Sequence, residues 1–203
     1  MKHFYMAYWN HLIGLLFVVF LGQQAIGQVR PITLNNPSFE GVPHDAVTPD
    51  EWSSCGMDSS PDILPGPWGV YQKPTAGNTF LGLITRENNT WEALTQKLNK
   101  PFKKHRCYKF KVDLALSSAY AGYSKPTKLR VWLSNSKCER KQLIVSSETI
   151  DHYEWKTYEF MFATEEDYKY ILIECYYKEP SLNYYRGNLL IDNITTFEMC
   201  DRA

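Results

Sequence analysis

Residues 107–116 alternate between apolar and polar side chains with a period of two. Tyr108, Phe110, Val112, Leu114 and Leu116 fall on one side, with Lys109, Lys111, Asp113 and Ala115 on the other. Successive residues of a strand point to opposite faces, so this pattern specifies a half-buried β-strand. Further runs rich in β-branched and aromatic residues follow the same rule and are separated by turn residues. The predicted strands are 79–85, 90–98, 107–116, 128–134, 142–146, 156–162, 168–177 and a closing run, 188–197. No stretch after residue 28 carries a convincing amphipathic helical pattern, an internal repeat or a low-complexity tail. Many short strands in a chain of 203 residues predict an all-β fold, a sandwich or a barrel.

The closing run contains a charged residue that a strand has to accommodate. In an extended backbone Leu190, Asp192 and Ile194 share one side. If that side is buried, the Asp192 carboxylate needs hydrogen bonds, a cation or a metal ion. A second acid, Glu40, follows Phe39 in the run 34–41 near the other end of the chain. If the first and last strands lie together, these two acids meet, and their hard oxygens suit a structural calcium ion. The simpler account is a Glu40–lysine salt bridge and an Asp192 that caps a turn.

Residues 1–27 read as a secretory leader. Lys2 supplies the basic start, residues 12–21 the apolar centre, and Ala25-Ile26-Gly27 a small-residue cleavage site before Gln28. That apolar centre is shorter than the ~20 residues a bilayer span needs. The expected organisation is therefore a leader, 1–27, and one domain, 28–203, with no membrane span in the mature chain. Asn88-Asn89-Thr90 and Asn193-Ile194-Thr195 match glycosylation sequons, which matter only in a eukaryotic secretory pathway. With 22 basic against 22 acidic residues, the chain lacks the clustered positive charge that nucleic acid or anionic membrane would select.

Three motifs carry a resemblance. "NPSFEG" near the start, "AGNTFLGL" after it and "LLIDNI" at the end occur in an order and spacing similar to the carbohydrate-binding-module type of galactose-binding-like jelly roll. The match spans roughly residues 34–198, and the chain also looks like secreted domains of Bacteroidetes-type surface proteins. The resemblance implies an antiparallel two-sheet β-sandwich. It makes Glu40 and Asp192 calcium ligands, with carbonyl oxygens near Gly77 and Asn78 completing the site. It also places the strand begun by Cys107 beside the last strand, so that Cys107–Cys200 is the first expected disulfide. Cys55 and Cys138, both in predicted loops, form a second pair in an oxidising compartment, and Cys175 stays as a buried thiol among Ile171, Ile173 and Tyr177.

Opposite the apolar positions Leu129, Val131 and Leu133 stand Arg130 and Trp132, and Asp113 faces outward on the preceding strand. An outward indole flanked by charged side chains suits a sugar: the ring covers the C–H face of a pyranose and the charges bind its hydroxyls. The competing account is that a loop, within 50–71, folds over Trp132 and buries it. Tyr120, Tyr123, Tyr184 and Tyr185 lie in predicted loops and are candidate contact residues, or else they pack over the rim of the sandwich. The Pro- and Gly-rich segment 42–72, with Trp52 and Trp68, reads as an ordered loop.

Catalytic signatures are absent. His44, His105 and His152 form no metal-ligand pattern, and there is no G-x-S-x-G and no P-loop. The sequence therefore predicts a secreted, non-catalytic carbohydrate-binding module with structural Ca2+, extracellular or at the cell surface, with the periplasm also open. A cell-surface adhesion or protein-interaction domain of the same fold is the alternative.

Overall fold

The computed structural model describes residues 31–178 and 183–200; the expected leader, 1–27, lies outside them. Among the described residues the chain forms eleven β-strands and one short 3-10 turn, Pro67–Gly69, with no α-helix. The strands are β1 (Ser53–Ser54), β2 (Asp62–Leu64), β3 (Phe80–Thr85), β4 (Ala93–Phe102), β5 (Cys107–Ala115), β6 (Thr127–Ser134), β7 (Gln142–Ser146), β8 (Lys156–Ala163), β9 (Tyr168–Tyr177), β10 (Gly187–Asp192) and β11 (Glu198–Met199). All of their pairings are antiparallel. Two sheets result. One runs β1-β4-β9-β6-β7; the other runs β11-β5-β10-β3-β2, with β8 on the far edge of β5.

The period-2 pattern is what packs these sheets together. Tyr108, Phe110, Val112 and Leu114 of β5 face Leu129, Val131 and Leu133 of β6 and Ile171 and Ile173 of β9 across one apolar core. Phe102, Phe110, Phe162 and Phe197 fill its centre, with Phe102 and Phe197 edge to face at 5.1 Å. Each such ring, once buried, stabilises the sandwich by about 2–3 kcal/mol. The closing run is shorter than its composition predicts. Strand β10 ends at Asp192, Asn193 adopts φ 53°, and the chain returns to β5 through the Thr195 amide on the Lys111 carbonyl and then through β11.

A second, smaller core lies on the outer side of the six-stranded sheet. Phe80 and Ile84 of β3, Ala115 of β5 and Leu190 of β10 are covered there by Leu64, Val70 and Tyr120. Gly82 permits this cover: a Cβ on it would stand 2.7 Å from Leu64 Cδ1 and 2.8 Å from the Tyr120 hydroxyl. The segment 42–72 is ordered, as its prolines require. It contributes β1 and β2 and buries Trp52 against Phe39, with ring centroids 5.2 Å apart.

Two disulfides tie the chain, Cys55–Cys138 and Cys107–Cys200, and Cys175 is a fully buried free thiol. The bridged residues are 83 and 93 positions apart, so each bridge restricts a large part of the unfolded chain. Burial pushes the Cys175 thiol far above its ordinary range. Replacing Cys107 and Cys200 by Ala should lower the unfolding free energy by roughly 2–5 kcal/mol in a urea titration. Without reductant, a thiol reagent should leave the native protein unlabelled and modify Cys175 alone after unfolding.

Candidate functional site

The two end acids meet on one loop. Asp192 Oδ2 accepts hydrogen bonds from the Thr75 amide (2.7 Å), the Thr75 hydroxyl (2.9 Å) and the Ala76 amide (3.0 Å), and Oδ1 accepts one from the Asn193 amide (2.7 Å). Glu40 accepts from the Asn78 amide at 3.0 and 3.1 Å and from Thr79 at 3.4 Å. Gly77 has φ 64°, and a Cβ there would lie 1.9 Å from Glu40 Oε1. Loop 75–79 is therefore a row of amides between a carboxylate from each end of the chain, and glycine is needed at its centre. Burial raises the Asp192 carboxyl above its ordinary range, against the pull of the Ala76 and Thr75 amides and the Thr75 hydroxyl.

The protein's own donors already meet both acids in the place where the resemblance implies a calcium ion. Calcium takes six to eight oxygen ligands. Asp192 already accepts from four donors, three on Oδ2 and one on Oδ1. The amides of Thr75, Ala76, Asn78 and Thr79 in this loop donate to the two acids. Among the described residues no three His, Cys, Asp or Glu side chains are grouped as a metal site.

A different acid organises the outer face of the five-stranded sheet. Strand β9 places Glu174 between Ala93 of β4 and Arg130 of β6 on that face, and its side chain is fully buried. Its Oε1 accepts from the Trp132 indole N–H at 2.8 Å and lies 3.2 Å from Arg130 Nε. Its Oε2 accepts from the Trp91 indole N–H at 2.8 Å and from Arg140 Nε at 2.7 Å. The Arg130 guanidinium stacks 4.0 Å from the centre of the Tyr176 ring and 4.8 Å from that of Trp132. Arg140 lies 5.8 Å from the Trp91 ring, which meets Tyr176 edge to face at 5.0 Å. The Cys55–Cys138 bridge packs beside this group on Ala93, Leu172 and Trp132.

Arg130 and Trp132 thus occupy the outward face that the alternation assigns them, and both are half-buried. The other expected contact residues are elsewhere. Asp113 is on β5 of the opposite sheet, paired with Asp192, and is buried under the Thr157 hydroxyl and the Asn193 side chain. Its place beside Trp132 is corrected by the topology: β5 and β6 follow one another in sequence but belong to different sheets. Tyr120 is 1% exposed, in the smaller core, and donates its hydroxyl to Asp62, so it is not a contact residue. Tyr123 packs against that core beneath Arg186, with the guanidinium 5.7 Å from its ring. Tyr185 is half-buried and donates to the Pro126 carbonyl at 2.8 Å, while Tyr184 stays exposed and packs on Tyr177 at 5.2 Å. Glu174, Trp91, Arg140 and Tyr176 are the residues the sequence reading missed.

Two further acids are buried at loop anchors. Glu92 accepts from Arg86 Nη2 at 2.6 Å, from the amides of Ser60 and Ile84 and from the Ser60 hydroxyl. Asp62 accepts from the Ala46 amide at 2.7 Å as well as from Tyr120, and burial raises its carboxyl above the ordinary range. Near Asp62 the surface holds an open cavity of about 350 Å³ lined by Pro43, His44, Asp45, Pro67 and Trp68. Trp68 is 45% exposed and sits at φ 56°.

No protein-family model matches the chain, and no curated protein matches it significantly. Solved structures do. A cyclase from a Fischerella species has a TM-score of 0.55 at 15% identity, covering 85% of this chain and 98% of that one. An adhesin domain of the Lys-gingipain of Porphyromonas gingivalis has a TM-score of 0.52 at 12% identity, covering 81% and 96%. The xylan-binding domain of a Paenibacillus barcinonensis protein has a TM-score of 0.51 at 16% identity, covering 85% and 96%. The fold is a carbohydrate-binding-module-like jelly roll. Likeness at these identities concerns the fold alone, which a cyclase, an adhesin domain and a xylan-binding domain all share.

Two outcomes test this geometry. Glu174→Ala leaves two guanidinium groups without their counter-charge and two indole N–H groups without their acceptor, and should cost about 3–5 kcal/mol in chemical denaturation. Calcium and EDTA should leave the melting temperature of the wild-type protein equal to within about 1 °C, since an ion that bound the native state would raise it by mass action.

Proposed function

We propose that the chain is a secreted, non-catalytic carbohydrate-binding module whose glycan site is the outer face of the five-stranded sheet around Glu174. The observation that carries this reading is the set of aromatic rings interleaved with guanidinium groups, Trp91, Tyr176, Trp132, Arg130 and Arg140, fixed in place by one buried carboxylate. Aromatic faces take the C–H side of a sugar ring, and the guanidinium N–H groups take its oxygens.

Placement supports the same face. The outer side of the other sheet carries the chain's own loops over β2, β3 and β10, whereas Trp91, Arg130, Trp132 and Tyr176 keep part of their surface in solvent. A xylan-binding domain with this fold supports a glycan ligand. Two disulfides suit an oxidising, extracellular compartment. An adhesion or protein-interaction domain, the competing class, calls for an apolar patch without hydrogen-bonding groups, and here each ring adjoins a charge. Calcium has no part in this proposal.

A glycan array probed with residues 28–203, alongside Trp91→Ala and Tyr176→Ala, tests the reading. The wild-type protein should show saturable binding to a defined glycan, and each variant should weaken it about tenfold, the worth of one lost stacking contact, while remaining folded. A folded wild-type protein that binds nothing on a broad array overturns the reading. Binding retained in full by both variants moves the site off this face.

A further inference from the structure

We infer that the glycan this face takes is acidic, bearing carboxylate or sulfate groups along its chain. The inference rests on the glycan reading of that face and names the ligand's chemistry. Its basis is the charge on the face. The outward positions of β4, β9 and β6 carry Lys97, Lys128 and Arg130, and Arg140 reaches in from the β6–β7 loop. Glu174 is the one acid at those strand positions, and it is buried beneath the arginines that it holds. The loop that supplies Arg140 adds Lys137 and Lys141 against Glu139. A near-neutral chain has therefore gathered an excess of positive charge on one face.

The donors are also arranged for an anion. Arg140 uses Nε on Glu174, and among the described residues neither of its terminal Nη groups, nor those of Arg130, donates to a protein oxygen. The ammonium of Lys128, a neighbour of Tyr176 on the adjacent strand, has no protein partner there either. The Arg130 guanidinium lies over both the Tyr176 and the Trp132 ring, so it is placed before any ligand arrives. A guanidinium with both Nη groups open and lodged over two rings is matched to the paired oxygens of a carboxylate or sulfate. Neutral sugar hydroxyls would not call for four cations. A free small anion would not call for Trp91 and Tyr176 beside them.

Matched polysaccharides separate charge from sugar. Polygalacturonate is compared with its fully methyl-esterified form, and a sulfated carrageenan with unsulfated agarose, by affinity electrophoresis of residues 28–203. The variants are Arg140→Ala and Lys128→Ala, the second chosen because Lys128 holds nothing else in place. The protein should be retarded at least about tenfold more strongly by the charged member of one pair, in keeping with a charge-assisted contact. Each variant should lose most of that preference, and added salt should erode it. Preference within the first pair assigns a uronate ligand, and within the second a sulfated one. Equal retardation by both members of each pair overturns the acidic ligand and leaves the glycan face standing. Preference for the charged members that survives in both variants overturns the assignment to these side chains. No retardation by any polysaccharide, together with an array that shows neutral glycans bound, overturns the acidic ligand alone; an empty array overturns the glycan reading with it.

Discussion

A carboxylate removed from water must be met by donors, and this structure is arranged around acids in that position. Asp62, Glu92, Glu174 and Asp192 are all buried. Each is answered by side chains and amides from distant parts of the chain. Asp62 draws in Ala46 and Tyr120, Glu92 draws in Ser60 and Arg86, and Asp192 draws in Thr75 and Ala76. Each acid sits in or beside a strand, and its donors come largely from loops. The apolar core packs the two sheets, but it does not specify where segment 42–72 or loop 75–79 runs. The buried acids do, because leaving any one unmet costs several kcal/mol.

The same logic links the chain ends to the sheet between them. Glu40 and Asp192 take opposite sides of loop 75–79, and the Ile194 amide donates to the Pro37 carbonyl at 3.1 Å. Asn36 locks the first turn from within, donating to the Glu40 carbonyl and accepting from its amide. What joins the ends is thus a set of peptide amides on carboxylates, with the Cys107–Cys200 bridge holding β11 to β5. Gly77 is the residue on which this arrangement turns: a side chain there would strike Glu40 and separate the loop from both acids.

The strands were legible in the sequence because period-2 alternation is a local property. Strand β7 falls where predicted, and β5, β6 and β9 do so to within one residue. The outward side of Arg130 and Trp132 followed from the same rule. What local pattern cannot give is which strands become neighbours. Asp113 and Trp132 belong to adjacent strands in sequence and to different sheets in space. Tyr120 lies in a polar-looking stretch, and its burial depends on Gly82 of a strand almost forty residues away in the chain. Glu174 did leave a signal, an acid between Ile173 and Cys175 in the otherwise apolar and aromatic run 170–177. Its meaning appears only when Trp91, Arg130, Trp132 and Arg140, from three other parts of the chain, converge on it.

That convergence explains how a stretch of sheet becomes a site and not merely a surface. Arginine side chains are long and lose rotamer entropy when a ligand fixes them. Here the entropy of Arg130 and Arg140 has already been lost on folding, to Glu174 and to the rings they lie against. Glu174 cancels part of their charge, which is what allows two guanidinium groups to share one small area of sheet. It takes a hydrogen bond from Nε of Arg140 and lies 3.2 Å from Nε of Arg130, and the terminal N–H groups of both donate to no other described protein oxygen. A buried acid that stabilised the sheet alone would be equally well served by hydrophobic replacements. What it adds is a fixed array of rings and forks, and rigidity of that kind is what lets a shallow face bind with few contacts.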